Sequence, residues 1–67
     1  MTIRQQLIAT LKCLFGDQKD LIIALVNPLK SEAQQIEMLE YVSKNKDNKE
    51  SMRKDCLLKK ALEISKK

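Results

Sequence analysis

The fold is decided first by residues 2–16, TIRQQLIATLKCLFG. Thr2 and Gln5 are typical of a capping box, in which a hydroxyl accepts from the amide three residues later and that residue's side chain reaches back. Six apolar side chains recur at helical spacing and fill one arc, namely Ile3, Leu7, Ile8, Leu11, Leu14 and Phe15. Gly16 supplies the left-handed conformation that often ends a helix. The segment therefore predicts a helix over about residues 3–15 with one face in a core.

Two further capping boxes predict two more long helices. SEAQ at residues 31–34 and DNKE at residues 47–50 both place Gln or Glu three residues after a short oxygen side chain. They predict helices over about residues 31–43 and 48–65.

The run LIIALV at residues 21–26 is too short for periodicity to separate a buried helix from a buried strand. No partner strand is visible elsewhere, so we predict a short, deeply buried helix over about residues 18–26. Pro28 separates it from the next helix, because the residue before proline is pushed out of helical geometry.

Together these elements predict an all-α protein, a small helical bundle of three longer helices and one short buried helix, in a single domain over residues 1–67. A chain this short buries only about 60% of its unfolded surface, and small domains recover stability from disulfides, metals or oligomerisation. Cys13 and Cys56 are isolated and there is no His, so neither a disulfide nor a metal site is predicted. Good packing, self-association or both therefore remain as the sources of stability.

Several apolar side chains lie outside the predicted core faces of the helices. The faces of the third and fourth helices consist of two sets at helical spacing, namely Leu29, Ala33, Ile36, Leu39 and Val42, and Leu57, Leu58, Ala61, Leu62 and Ile64. Met38 and Tyr41 project outside the first set, while Met52 and Cys56 lie opposite the second. Met and Tyr are enriched in interface cores, although a broad core that takes them in is the alternative. We predict a partner interface that includes Met38, Tyr41, Val42 and Met52.

The net charge of +4 is unevenly distributed. Residues 1–43 carry four basic and five acidic side chains, a net of −1, whereas residues 44–67 carry nine basic and four acidic ones, a net of +5. On a continuous fourth helix, one row of cations falls within about 40° and consists of Lys49, Arg53, Lys60 and Lys67. Such a row could neutralise phosphates. We favour the alternative of a solvated face, because Glu50, Asp55 and Glu63 each have Lys four residues later.

A helix-turn-helix is a weaker hypothesis for the helices over about residues 17–26 and 31–43. Gln34 and Gln35 would stand on the recognition helix, and Gln can read adenine. Three glutamates on the same helix would repel phosphate, and Gln34 has a structural role in its capping box.

Catalysis, cofactors and membrane insertion are not predicted. The two cysteines are the only plausible nucleophiles, no His supplies a base, and we expect both thiols to be partly buried and inert. A pocket of the usual ligand volume is hard to build in so small a chain, so no small-molecule substrate is expected. The longest apolar run has six residues, whereas a membrane span needs about 20. Polar residues interrupt the N-terminal segment, which argues against a signal peptide, so we expect a cytoplasmic protein that begins at Met1.

The sequence therefore favours a non-enzymatic protein–protein interaction module, either a homodimer or a small adaptor or regulator that docks on another protein. The alternative is a nucleic-acid-binding regulator that uses the basic face of the last helix. Salt dependence separates the two, because phosphate contacts lose affinity steeply with salt and an apolar interface does not.

Overall fold

Four α-helices account for most of the chain in the computed structural model, which describes residues 2–67. They are α1 (Ile3–Phe15), α2 (Lys19–Val26), α3 (Glu32–Asn45) and α4 (Lys54–Ser65). No strand occurs among residues 2–67. The predicted all-α helical bundle is confirmed.

Helix α1 forms as the sequence predicts. The Gln5 amide donates to the Thr2 hydroxyl at 3.1 Å, and the Thr2 amide donates to the Gln5 side chain at 3.0 Å. Gly16 ends the helix with φ 63° and ψ −126°, which glycine adopts without a steric penalty. Leu7 and Leu11 are fully buried and Ile8 and Phe15 pack against the core, so this part of the predicted face is confirmed. Leu14, which the same face included, is 37% exposed.

Residues 19–26 are helical, which settles the choice between helix and strand. The inner side of α2 is buried and consists of Leu21, Ile22, Leu25 and Val26. Ile23 is 53% exposed and Ala24 is also exposed, so the expectation of a deeply buried helix is wrong for one side of α2. The reason is tertiary, because α2 packs against α1 and α4 and its remaining side faces solvent.

Helix α3 begins at the second capping box but turns a different face to the core. The Gln34 amide donates to the Ser31 hydroxyl at 3.2 Å, which confirms the box. Met38 and Val42 are fully buried, whereas Ile36 is 38% exposed. The predicted stripe was therefore rotated about the helix axis. The prediction placed the stripe by stepping 100° per residue from Leu29. Leu29 is buried, but it lies before the first residue of α3, so the helical spacing does not apply to it.

Helix α4 begins at Lys54, so the prediction of a helix over residues 48–65 is wrong at its start. The Asn48 side chain does accept from the Glu50 amide at 3.1 Å, but the turn that it caps ends at Arg53, whose φ of −68° and ψ of 147° are extended. On a continuous helix Met52 would lie opposite the core face of α4. The break lets Met52 pack against the core, and this burial overrides the local capping signal.

The packing of the helices is simple. Both α1 and α4 pack against α2 and against α3, while within residues 2–67 α2 and α3 do not pack closely on each other. The buried side chains of all four helices join Leu29 in a single hydrophobic cluster. Each helix therefore packs against two others, and the exposed residues lie on its remaining side. Any functional surface is built from these exposed residues.

Candidate functional site

Two of the four residues predicted for a partner interface are not on the surface. Met38 and Val42 are fully buried in the chain's own core, so the premise that Met38 projects away from the core is wrong. Tyr41 and Met52 are half-buried and pack against the same core. The chain's own core therefore takes in Met38 completely and Tyr41 and Met52 in part, as expected of Met in irregular gaps, whereas Cys56 is exposed.

The predicted basic row does not form a row on one helix. Lys49 and Arg53 precede α4, and Lys67 follows it, so the 100° spacing that aligned them does not apply. The Lys60 ammonium lies 5.1 Å from the centre of the Tyr41 ring, a cation–π distance. The Lys67 ammonium is 2.7 Å from a carboxylate oxygen of Glu37. The sequence-based geometry of the nucleic-acid hypothesis is therefore wrong, and two of its cations have partners within the chain.

The ion pairs predicted along the last helix are also absent from the described residues. Glu50, Asp55 and Glu63 were each expected to pair with Lys four residues later. Among residues 2–67 the only ion pair within 4.0 Å joins Lys67, which follows α4, to Glu37 on α3.

The two glutamines of the helix-turn-helix hypothesis support the fold. Besides capping α3, Gln34 donates from Nε2 to the Ser65 carbonyl at 3.3 Å, which ties the start of α3 to the end of α4. Gln35 donates from Nε2 to the Leu29 carbonyl at 3.2 Å. Since α2 and α3 do not pack closely either, the arrangement lacks the adjacent helix pair of that motif.

Both cysteines are exposed, which corrects the expectation that they are partly buried. Cys13 lies on α1 and Cys56 on α4, and both are free thiols. No group of three or more His, Cys, Asp or Glu that could hold a metal ion occurs within residues 2–67.

A groove between α1 and α2 is the surface feature that the sequence did not predict. Its cavity volume is about 200 Å³. Ile22 and Val26 form its floor, while Ile8 is half-buried and Ile23 is 53% exposed. Ile23 is thereby an exposed large hydrophobic side chain beside an apolar depression.

The two walls of this groove follow the same pattern. Helix α1 contributes side chains four residues apart, namely Arg4, Ile8 and Lys12. The other wall consists of side chains four residues apart on α2 and at its C-terminal cap, namely Lys19, Ile23 and Asn27. Residues four apart lie on one face of a helix, so each wall has an apolar centre and polar or cationic ends. We call the surface formed by these six residues and its floor the basic-rimmed groove.

The charge of the basic-rimmed groove is of one sign. Residues 1–43 contain only four basic side chains, and three of them, Arg4, Lys12 and Lys19, line the groove. None of the five acidic side chains in the same half lines it. A segment with a net charge of −1 thus presents a local cationic surface. Within residues 2–67 no rim cation has an ion-pair partner, so all three are available to a ligand.

A sequence signal for this groove existed but was weak. Arg4-Ile8-Lys12 and Lys19-Ile23-Asn27 repeat the i, i+4, i+8 spacing on consecutive helices. Charged residues four apart are ordinary on solvent-facing helices, so the pattern becomes informative only when the fold brings the two stripes together.

No protein-family model matches this chain, and no curated protein or solved structure matches it either. Among residues 2–67, no helix is long and apolar enough to span a membrane.

Proposed function

We propose that this protein is a non-enzymatic protein–protein interaction module and that its basic-rimmed groove binds a helix of a partner protein. The observation that carries the proposal is the exposed Ile23 above an apolar floor, enclosed by three cations that have no ion-pair partner within residues 2–67. An apolar depression with a few placed polar groups is the common form of a recognition site.

The shape and chemistry of the groove favour a helix over a nucleic acid. Amphipathic helices lay anchors at i, i+3, i+4 and i+7 into grooves of this kind. Phosphate backbones need cations but gain nothing from an apolar floor, and among residues 2–67 no aromatic side chain lines the groove to stack on a base.

The positions of the rim cations define the partner's chemistry. Arg4 lies at one end of the groove, while Lys12 and Lys19 flank the connection between α1 and α2 at the other end. Lys12 is eight positions after Arg4, which is about 12 Å along a helix. We therefore expect a partner helix with one apolar residue and an acidic residue four positions before and after it. When the apolar residue lies in the centre of the groove, the two acids lie near its two ends.

The test uses a synthetic helical peptide with Glu, Leu and Glu at positions i, i+4 and i+8. We expect it to bind, and we expect a matched peptide with Lys in place of both Glu residues not to bind. Fluorescence anisotropy of a labelled peptide gives both affinities. Equal binding of the two peptides would contradict the role assigned to the rim.

Ile23→Ser tests the location, and Leu62→Ser is its matched control, because these side chains are 53% and 52% exposed. Complete burial of such a side chain contributes about 1.5–3 kcal/mol, so covering the exposed half of Ile23 contributes about 1 kcal/mol. With the contacts that serine cannot make, we expect a loss of affinity of about tenfold, equivalent to about 1.4 kcal/mol. Leu62→Ser should bind like the wild type. An equal loss in both variants would refute the assignment of the groove.

A further inference from the structure

The outer face of α3 carries the pattern that the basic-rimmed groove requires. Glu32 and Glu40 are exposed, and Ile36, midway between them, is 38% exposed. Spaced four residues apart, the three side chains lie along one side of α3, away from the buried Met38. We call them the acidic stripe.

The acidic stripe matches one wall of the groove in order and in length. The wall on α1 is cation, isoleucine, cation (Arg4, Ile8, Lys12), and the stripe is acid, isoleucine, acid. In each, the two charged residues are eight positions apart, or about 12 Å along the helix. When Ile36 of another copy lies over Ile8 and Ile23, both glutamates come to rim positions.

The charges on both surfaces are available. Among residues 2–67, neither Glu32 nor Glu40 forms an ion pair, and the rim cations form none. Contact between the two surfaces therefore breaks no ion pair within those residues. Contact of a groove with the same groove of another copy is unfavourable, since it would bring three cations against three cations.

We propose that the basic-rimmed groove of one copy binds the acidic stripe of a second copy. This inference rests on the proposed function, because it assigns the occupant of the same groove. In a two-fold dimer each copy would contribute one groove and one stripe, whereas an unclosed arrangement would continue as a chain of copies. Each contact is small, so the assembly is of the weak, concentration-dependent kind.

Charge exchange tests the contact directly. The stripe variant is Glu32→Lys with Glu40→Lys, which raises the net charge of +4 by four units. The groove variant is Arg4→Glu with Lys12→Glu, which lowers it by four units to zero. All four side chains are exposed, and circular dichroism checks that each variant keeps its helices.

Sedimentation equilibrium over a wide concentration range measures the assembly. We expect the wild type to self-associate and each variant alone to do so about tenfold more weakly or worse, equivalent to about 1.4 kcal/mol. A mixture of the two variants should recover association, because each then offers the other a complementary surface. The chain with all four substitutions, whose net charge is again +4, should also recover it.

Asp55→Lys with Glu63→Lys is the matched control. These acids are exposed, are eight residues apart and change the net charge equally, but Lys59 lies midway between them instead of an isoleucine. We expect this variant to associate more strongly than the stripe variant. Equal weakening of both would assign the effect to net charge and overturn the proposal.

Two further results would also overturn the proposal. One is a wild type that stays monomeric at millimolar concentration, and the other is a mixture of variants that does not recover association. If the acid-flanked peptide still binds the groove in either case, only the second copy as occupant fails. If the peptide does not bind either, the proposed function fails with it.

Discussion

Met38→Ala is the sharpest test of the core, because sequence and structure assign this side chain to different places. Met38 is 0% exposed, and the substitution removes its γ carbon, sulfur and terminal methyl. At about 0.8 kcal/mol per buried group the lost transfer free energy is roughly 2.4 kcal/mol. The cavity that remains adds to this loss, and the sum lies within the range of about 2–5 kcal/mol that is typical of Met→Ala in a core.

That loss is large for a chain of 67 residues, whose stability at about 0.05–0.15 kcal/mol per residue is roughly 3–10 kcal/mol. The melting temperature should fall by about 10 °C or more, since each kcal/mol corresponds to about 4–8 °C in so small a domain. Urea unfolding followed by circular dichroism measures the free energy. The change should be the same at low and at high protein concentration, because Met38 is buried in the core of its own chain.

Ile36→Ala is the matched comparison, since the sequence placed Ile36 on the core face and the structure leaves it 38% exposed. We expect a loss of about 1 kcal/mol or less at concentrations where the protein is monomeric, as for a surface substitution that opens no cavity. If Ile36→Ala costs as much as Met38→Ala, the core face of α3 is misassigned. If the effect of Met38→Ala varies with protein concentration, Met38 belongs to an interface.

Two further predictions concern the local signals that begin and end helices. Gly16→Ala should lower the unfolding free energy by about 1–3 kcal/mol through backbone strain alone, because an added Cβ meets no atom of residues 2–67 within 4 Å. An unchanged melting temperature would contradict the positive φ of 63°. Ser31→Ala should cost about 0.5–2 kcal/mol by removing the cap of α3, whereas Asp47→Ala should change stability little because no helix begins there. Thermal melts of both variants decide this, and equal losses would show that α4 begins near Asp47.

Part of this protein could be predicted from its sequence because the relevant interactions are local. A capping box joins residues three apart, so Thr2 and Ser31 mark the starts of α1 and α3 without reference to the rest of the chain. Gly16 marks the end of α1 in the same way, because its positive φ is a property of its own backbone. The all-α class follows from such signals together with the apolar spacing.

The candidate site was not predictable to the same degree. Whether a side chain is buried depends on which other segments pack on it, and local sequence does not specify those segments. Three residues illustrate the consequence. Met38 was predicted for an interface and is buried, whereas Ile23 was predicted to be deeply buried and is exposed. Lys49 was placed on a helical face, yet α4 has not begun at that position.

Sequence alone thus determined where α1 and α3 begin and that the chain is helical, because hydrogen bonds between near neighbours encode both. Only the tertiary structure decided which face of α3 is buried, where α4 begins and that Ile8 and Ile23 share one groove. Those outcomes depend on burial between segments distant in the chain, and the free energy of burial is non-directional and large enough to override local preferences. The basic-rimmed groove exists because the connection at residues 16–18 brings two separate stripes together.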